Sequence, residues 1–156
     1  MYLFLFFSSA AAFNHDKIVS FLLEYGADLE AKEVLEMTPF LMAVTHGAVE
    51  AARVLESHGA DILATDNSLN SAIHLAIMYR QSEMLKTLLE MDKDHRLTNM
   101  TDKDKKNVFH LACGQETSEV TNTYMMFIID QYIYLVYGYN STHSLIGCFL
   151  VMTGHY

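Results

Sequence analysis

Three stretches of this chain align without gaps at a spacing of 33 residues, and that period restricts the fold more than any single motif does. Leu22-Leu23-Glu24-Tyr25-Gly26-Ala27-Asp28 stands 33 residues before Leu55-Glu56-Ser57-His58-Gly59-Ala60-Asp61. In the same frame Thr38-Pro39-Phe40-Leu41-Met42-Ala43 stands 33 before Ser71-Ala72-Ile73-His74-Leu75-Ala76. A further start, Asn107-Val108-Phe109-His110-Leu111-Ala112, follows after 36, the three additional residues lying between Asp92 and Asp102. An acidic residue stands five before each start, as Glu33, Asp66 and Asp102. A unit this short cannot bury its own apolar face and becomes stable only by stacking on its neighbours.

Within the unit the local signals are helical. Thr38 and Ser71 can cap a helix N-terminus, and Pro39 suits the first helical position, where its missing N–H costs nothing. The inner face of that helix carries Phe40, Ala43 and Val44 in one copy and Ile73, Ala76 and Ile77 in the next, at i, i+3, i+4 spacing. Small residues among the larger ones let two layers approach closely. A second helix follows Gly47, with Ala51, Ala52, Val54 and Leu55 in one copy and Met84, Leu85, Leu88 and Leu89 in the other. It ends at Gly59, a natural left-handed C-cap.

A 33-residue unit of Thr-Pro-Leu-His-x-Ala type, with a Gly, an apolar run and Leu-Leu-x-x-Gly-Ala-Asp, resembles the ankyrin repeat. The resemblance implies an all-α solenoid of helix-turn-helix units joined by short β-hairpin loops. It covers residues 2–120, divided at about 2–34, 35–67, 68–103 and a partial 104–120, and leaves 121–156 as an irregular aromatic tail. The sequence departs from the pattern at the turns: the Gly expected two residues before each Thr position is Glu36, Leu69 and Lys105, none of which takes a positive φ freely. Pro39 is the only helix-opening proline kept, and Glu56 replaces a core Leu. Over residues 15–115, a repeat without the histidine, then Ser-Ala-Ile-His-Leu-Ala, then a lengthened connector is similar to late ankyrin repeats of the ankyrin-type transient receptor potential channels.

The resemblance implies protein binding rather than catalysis. In such a stack the hairpin tips and inner-helix ends align on one face, where side chains are free of packing duty. Carried over position by position, this makes Val34, Leu35 and Met37 contact residues at the first tip, Asn67, Ser68 and Asn70 at the second, and Lys103, Asp104 and Lys106 at the third. Thr45, His46, Met78 and Tyr79 are added from the inner-helix ends. Apolar residues among polar neighbours are the composition of an anchor with a polar rim.

Charge and motif content narrow the function classes. Nineteen Asp plus Glu against ten Lys plus Arg give a net charge of −9, which leaves no basic surface for many phosphates and argues against nucleic acid. Cys113 and Cys148 cannot form a disulfide scaffold and fit a reducing compartment at least as well as an oxidising one. His74 and His110 recur at one repeat position, which marks a structural hydrogen bond across the loop. His110 and Cys113 make His-x-x-Cys, but no second pair stands at zinc spacing, and Cys113 occupies the inner-helix site of Val44 and Ile77, as a buried thiol. Asp102-Lys103-Asp104-Lys105-Lys106 is mixed in sign, as a solvated hairpin tip is. The chain contains no His-Glu-x-x-His, Gly-x-Ser-x-Gly, phosphate loop or dinucleotide fingerprint; no enzyme, cofactor or metal is expected.

The two ends differ from the middle. Of 29 charged residues 28 lie in 14–120, whereas 13 of 18 aromatics lie outside it, so the acidity belongs to the repeats and the excess apolarity to the ends. Met1 to Phe7 followed by Ser9-Ala10-Ala11-Ala12 imitates a signal peptide, but a basic n-region is missing and the apolar core is short. Phe7, Ala10, Ala11, His15, Ile18 and Val19 instead fall in register with the first repeat. If the chain were secreted, Asn99-Met100-Thr101 and Asn140-Ser141-Thr142 would be glycosylation acceptors. The tail is interrupted by Asp130 and falls short of a regular span; it reads as a divergent cap or as sequence foreign to the repeats. The expected setting is cytoplasmic, with protein partners, self-association through the uncapped ends, and membrane contact only as part of a larger channel.

Overall fold

The computed structural model describes residues 2–108 and Leu111, and among them the side chains of residues 5–33, 35–108 and Leu111. His110, Cys113, Cys148, Asn140 and the 121–156 tail lie outside the described residues, as does the side chain of Val34.

Among the described residues six helices follow one another as α1 (Tyr2–Ala12), α2 (Asp16–Glu24), α3 (Pro39–Thr45), α4 (Val49–Ser57), α5 (Ala72–Met78) and α6 (Ser82–Met91). They form three antiparallel pairs. The odd-numbered helices pack in one layer, α1 on α3 and α3 on α5, and the even-numbered ones in a second, α2 on α4 and α4 on α6. The inner layer is close because its contact residues are small or flat: Phe7, Ala10 and Ala11 of α1, Phe40, Ala43 and Val44 of α3, and Ile73, Ala76 and Ile77 of α5 are all buried. Val19, Ala51, Ala52, Leu55, Met84, Leu85 and Leu88 fill the space between the layers. Glu56, at the position of Leu23 and Leu89, is exposed, so the missing core leucine leaves no buried charge.

Each α3-like helix starts as its sequence dictates. The Thr38 hydroxyl accepts the Leu41 N–H at 3.3 Å with Pro39 at the first helical position. Ser71 and His74 form a reciprocal capping box on α5. Turns between paired helices require a left-handed residue, supplied by Asn14 (φ 58°), Gly47 (φ 69°) and Arg80 (φ 57°) one period apart. At Gly47 space matters as well: a Cβ there would overlap the carboxamide of Gln81, whose Nε2 donates to the Thr45 carbonyl at 3.0 Å.

The connecting loops are hairpins in two cases. Thr65 bridges Ser71 and Thr101 bridges Asn107; between 29 and 38 the chain instead makes a single 3-10 turn, Val34–Glu36. The reason is side-chain length. Asp66 Oδ1 accepts the N–H of Ser68 and of Asn70, both at 2.8 Å, and Asp102 Oδ1 does the same for Asp104 and Lys106 at 2.9 and 2.8 Å. Glu33, one methylene longer, makes no such bracket, and both Leu35 (φ 70°) and Glu36 (φ 62°) turn left-handed. Leu69 (φ 60°) and Lys105 (φ 59°) occupy the expected glycine positions in the other two loops. α1 departs from the later inner helices by beginning four residues early, so that helix stands where they have a hairpin base.

Candidate functional site

The hairpins are tied to one another as well as to their helices. The Asn67 N–H donates to the Leu35 carbonyl at 2.9 Å, and the Lys103 N–H donates to the Ser68 carbonyl at 3.1 Å. Backbone therefore fixes the three tips into a row, which presents side chains without a hinge between them. Leu35 and Asn67 are exposed on it, Ser68 is half-buried, and Lys103, Asp104 and Lys106 are exposed at its far end. Leu69, in the left-handed turn, adds an exposed apolar side chain between Leu35 and the lysines.

A second row runs along the far ends of the inner helices. Seven residues of α3 at 1.5 Å each set the two rows about 10 Å apart along the helix. Phe13, His46 and Tyr79 stand one period apart in this row and all are exposed. The Phe13 and His46 rings lie 6.5 Å apart between centroids. Met78 is exposed beside Tyr79.

Three residues expected on these rows are not free. Met37 is buried because it forms the base of its loop, its carbonyl accepting the Glu33 N–H at 2.9 Å while its side chain joins the core. Asn70 is buried because its Nδ2 donates to Asp66 Oδ2 at 2.9 Å, inside the bracket. Thr45 is buried where Gln81 folds over its carbonyl, and its hydroxyl is spent on the Met42 carbonyl at 2.9 Å. The Met37 and Asn70 side chains support their loops from within, and that of Thr45 is buried at the end of α3.

His74 is wholly structural. It is buried, with Nδ1 accepting from the Ser71 N–H at 3.3 Å and Nε2 reaching the Lys106 carbonyl at 3.2 Å. Burial lowers its pKa, against the opposing pull of the Lys106 carbonyl and of Asp102 and Asp66. At the first tip the Lys32 amine is held in its charged form by Glu36, 2.8 Å away. Asp92 is buried and accepts from the Leu97 and Thr98 N–H groups, both at 3.1 Å, which folds the lengthened connector. Among the described residues no three His, Cys, Asp or Glu side chains are placed to hold a metal ion, and no helix is long and apolar enough to cross a membrane.

Comparison with known proteins agrees with this geometry. A family model described as ankyrin repeats, in three copies, matches residues 7–99. The chain belongs to the ankyrin-repeat family. Over 116 residues it is 27% identical to the transient receptor potential cation channel subfamily A member 1 homolog of Caenorhabditis elegans, a match covering 74% of this chain and 9% of the channel. It is 32% identical over 93 residues to alpha-latrotoxin-Lg1a of Latrodectus geometricus, covering 58% of this chain and 7% of the toxin. The human transient receptor potential cation channel subfamily A member 1 is 24% identical over 108 residues, covering 68% of this chain and 10% of that protein. The chain thus spans a tenth or less of these relatives.

Against the ankyrin frame, sequence reasoning passed over two exposed residues. Phe13 lies one period before His46, so the register alone could have found it. Leu69 stands where the repeat pattern has a glycine, and its exposure follows from the left-handed turn that carries its side chain outward.

Proposed function

We propose that this chain is a protein-interaction module without catalytic activity, binding through the row of hairpin tips and the exposed ends of the inner helices. The observation that carries this reading is the pair Leu35 and Leu69: two exposed leucines in left-handed turns, on loops locked by hydrogen bonds to their neighbours and outside the buried core. Exposed apolar groups on a rigid frame lose little entropy when covered. Of the three tips only the third has an excess of cations. Lys103, Lys105 and Lys106 place three of the chain's ten cations at the third tip, with Asp104 among them. A partner suited to it carries an apolar segment for Leu35 and Leu69 and an acidic group toward the third tip. Of the thirteen sequence-derived positions, those proposed to make contact are Leu35, His46, Asn67, Ser68, Met78, Tyr79, Lys103, Asp104 and Lys106.

The test compares co-purified proteins of the wild-type chain with those of a Leu35→Asp, Leu69→Asp variant shown to keep its thermal midpoint. The reading expects specific partners to be lost from the variant; identical partner sets would contradict it.

A second reading is favoured by the channel relatives: the repeats are a part of the cytosolic region of a larger membrane protein of that kind. Measuring the mass of the endogenous polypeptide and its fractionation decides between them. A product near 17.7 kDa that stays soluble contradicts the second reading, whereas a larger, membrane-associated product agrees with it.

A further inference from the structure

The 33-residue period is broken in the connector after α6, and the departure builds a cavity. α4 closes on Gly59 in a left-handed turn (φ 91°). α6 runs one residue longer and meets Asp92 at the corresponding position. The Asp92 carboxylate draws the connector back on itself by accepting the Leu97 and Thr98 N–H groups, and His95 (φ 54°) supplies a left-handed turn. Lys93, Asp94 and Arg96 are left exposed on this folded connector. The connector after α4 brings Asp61, which is exposed, and Ile62 and Leu63, which are half-buried. All of these residues except His95, Leu97 and Thr98, together with Met91, line one cavity of about 480 Å³. Ile62, Leu63 and Met91 also pack against the core, so they form its apolar floor.

The cations of this cavity lack counter-ions. In a chain of net charge −9 a lysine or arginine readily meets a carboxylate: ion pairs hold Lys32 to Glu36, Arg53 to Glu90, Lys86 to Glu83 and Lys106 to Asp104. Lys93 and Arg96 pair with no described residue, although Asp61 and Asp94 line the same cavity.

We propose that this cavity binds the C-terminal end of a partner polypeptide whose last residue is apolar, with the terminal carboxylate on Arg96 and Lys93 and the side chain on Ile62, Leu63 and Met91. Two unpaired cations call for an anion, and the arginine fork matches a carboxylate. Asp61 and Asp94 restrict that anion to one charge, because a phosphate or polyphosphate would set further negative charge against them. The floor requires an apolar group close to the charge. A C-terminal residue of leucine type carries both on one Cα, whereas an internal Asp or Glu side chain would leave the floor uncovered. The volume falls in the range that encloses a drug-sized ligand, which is more than one side chain needs and suits the last few residues of a chain. None of these residues belongs to the row of tips, so the inference stands apart from the partner-binding reading.

The test titrates N-acetyl-Ala-Ala-Leu with a free carboxylate into the full chain and follows the methyl signals of Ile62, Leu63 and Met91 by NMR. Saturable shifts at these methyls are expected. The same peptide as its C-terminal amide should bind about tenfold more weakly or worse, because a charge-assisted pair is lost. A Lys93→Gln, Arg96→Gln variant that keeps its thermal midpoint should lose affinity for the acid to the same degree. The Leu35→Asp, Leu69→Asp variant should bind the peptide as wild type does, so that failure here and failure of the tip reading are separable. Absence of shifts at the cavity, equal binding of acid and amide, or full affinity in the double glutamine variant overturns the proposal. Sodium octanoate supplies the other arm: tighter binding of octanoate than of the peptide assigns the cavity to a free small carboxylate and overturns the polypeptide assignment.

Discussion

His74 Nε2 stands 3.2 Å from the Lys106 carbonyl oxygen, so one buried imidazole ties the start of α5 to the next hairpin 32 residues on. Because Nδ1 accepts from the Ser71 N–H, the ring is neutral with its proton on Nε2, where it donates to that carbonyl. A protonated ring would aim a second N–H at the Ser71 donor.

Acid should loosen this bridge. Burial sets the pKa of His74 below its ordinary value near 6.5, so the folded state binds fewer protons than the unfolded one. Stability from this group is complete above about pH 6.5 and declines as pH falls from there toward the folded pKa. The urea midpoint followed from pH 7.5 to 5 should fall, and His74→Leu should flatten that limb. The same variant should cost about 1–3 kcal/mol at pH 7.5, because the Ser71 N–H is left without its acceptor. A limb of equal slope in the variant would contradict the assignment.

Gly47→Ala should destabilise by about 2–3 kcal/mol: roughly 1–2 kcal/mol for a Cβ at φ 69°, and the remainder for displacing Gln81 from the Thr45 carbonyl. The two parts separate in a double-mutant cycle. In a Gln81→Ala background the cost of Gly47→Ala should shrink to the backbone part, and strict additivity would refute the steric link.

The 33-residue period made the helix starts at Thr38 and Ser71, the cap at Gly59 and the bridging role of His74 legible from sequence, because each rests on local chemistry repeated in register. Other features were not legible. The early start of α1 replaces a hairpin base that no turn residue announced. The burial of Asn70 depends on the Asp66 bracket, and that of Thr45 on Gln81, a side chain 36 residues away. The acidic residue of each loop is visible as a pattern, but that Asp66 and Asp102 bracket their loops with side-chain hydrogen bonds, where Glu33 closes its loop through backbone alone, emerges only from the hydrogen bonds.

Leu69→Gly should separate stability from binding. Removing a Cβ from φ 60° relieves about 1–2 kcal/mol, offset by about 0.5–1 kcal/mol of added freedom in the unfolded chain. The expected result in chemical denaturation is a net gain of about 0.5–1 kcal/mol, accompanied by weaker partner capture. A gain in stability with capture unchanged would remove Leu69 from the contact surface.

Ser8 sits in the register position of Leu41 and His74, fully buried, and its hydroxyl has no hydrogen-bond partner among the described residues. Ser8→Ala should therefore be neutral or stabilising by up to about 1 kcal/mol, since it removes an unpaired buried polar atom. Thermal melting that shows a loss greater than about 1 kcal/mol would mean the hydroxyl is satisfied in solution.

The most direct measurement of the central claim is site-specific photo-cross-linking in cells. A photoreactive residue at Asn67, on the row of tips, should form adducts with a protein partner, while the same residue at Glu56, exposed on the outer helix α4, should not. Adducts from Glu56 and none from Asn67 would contradict the account and move the interaction surface to the outer layer.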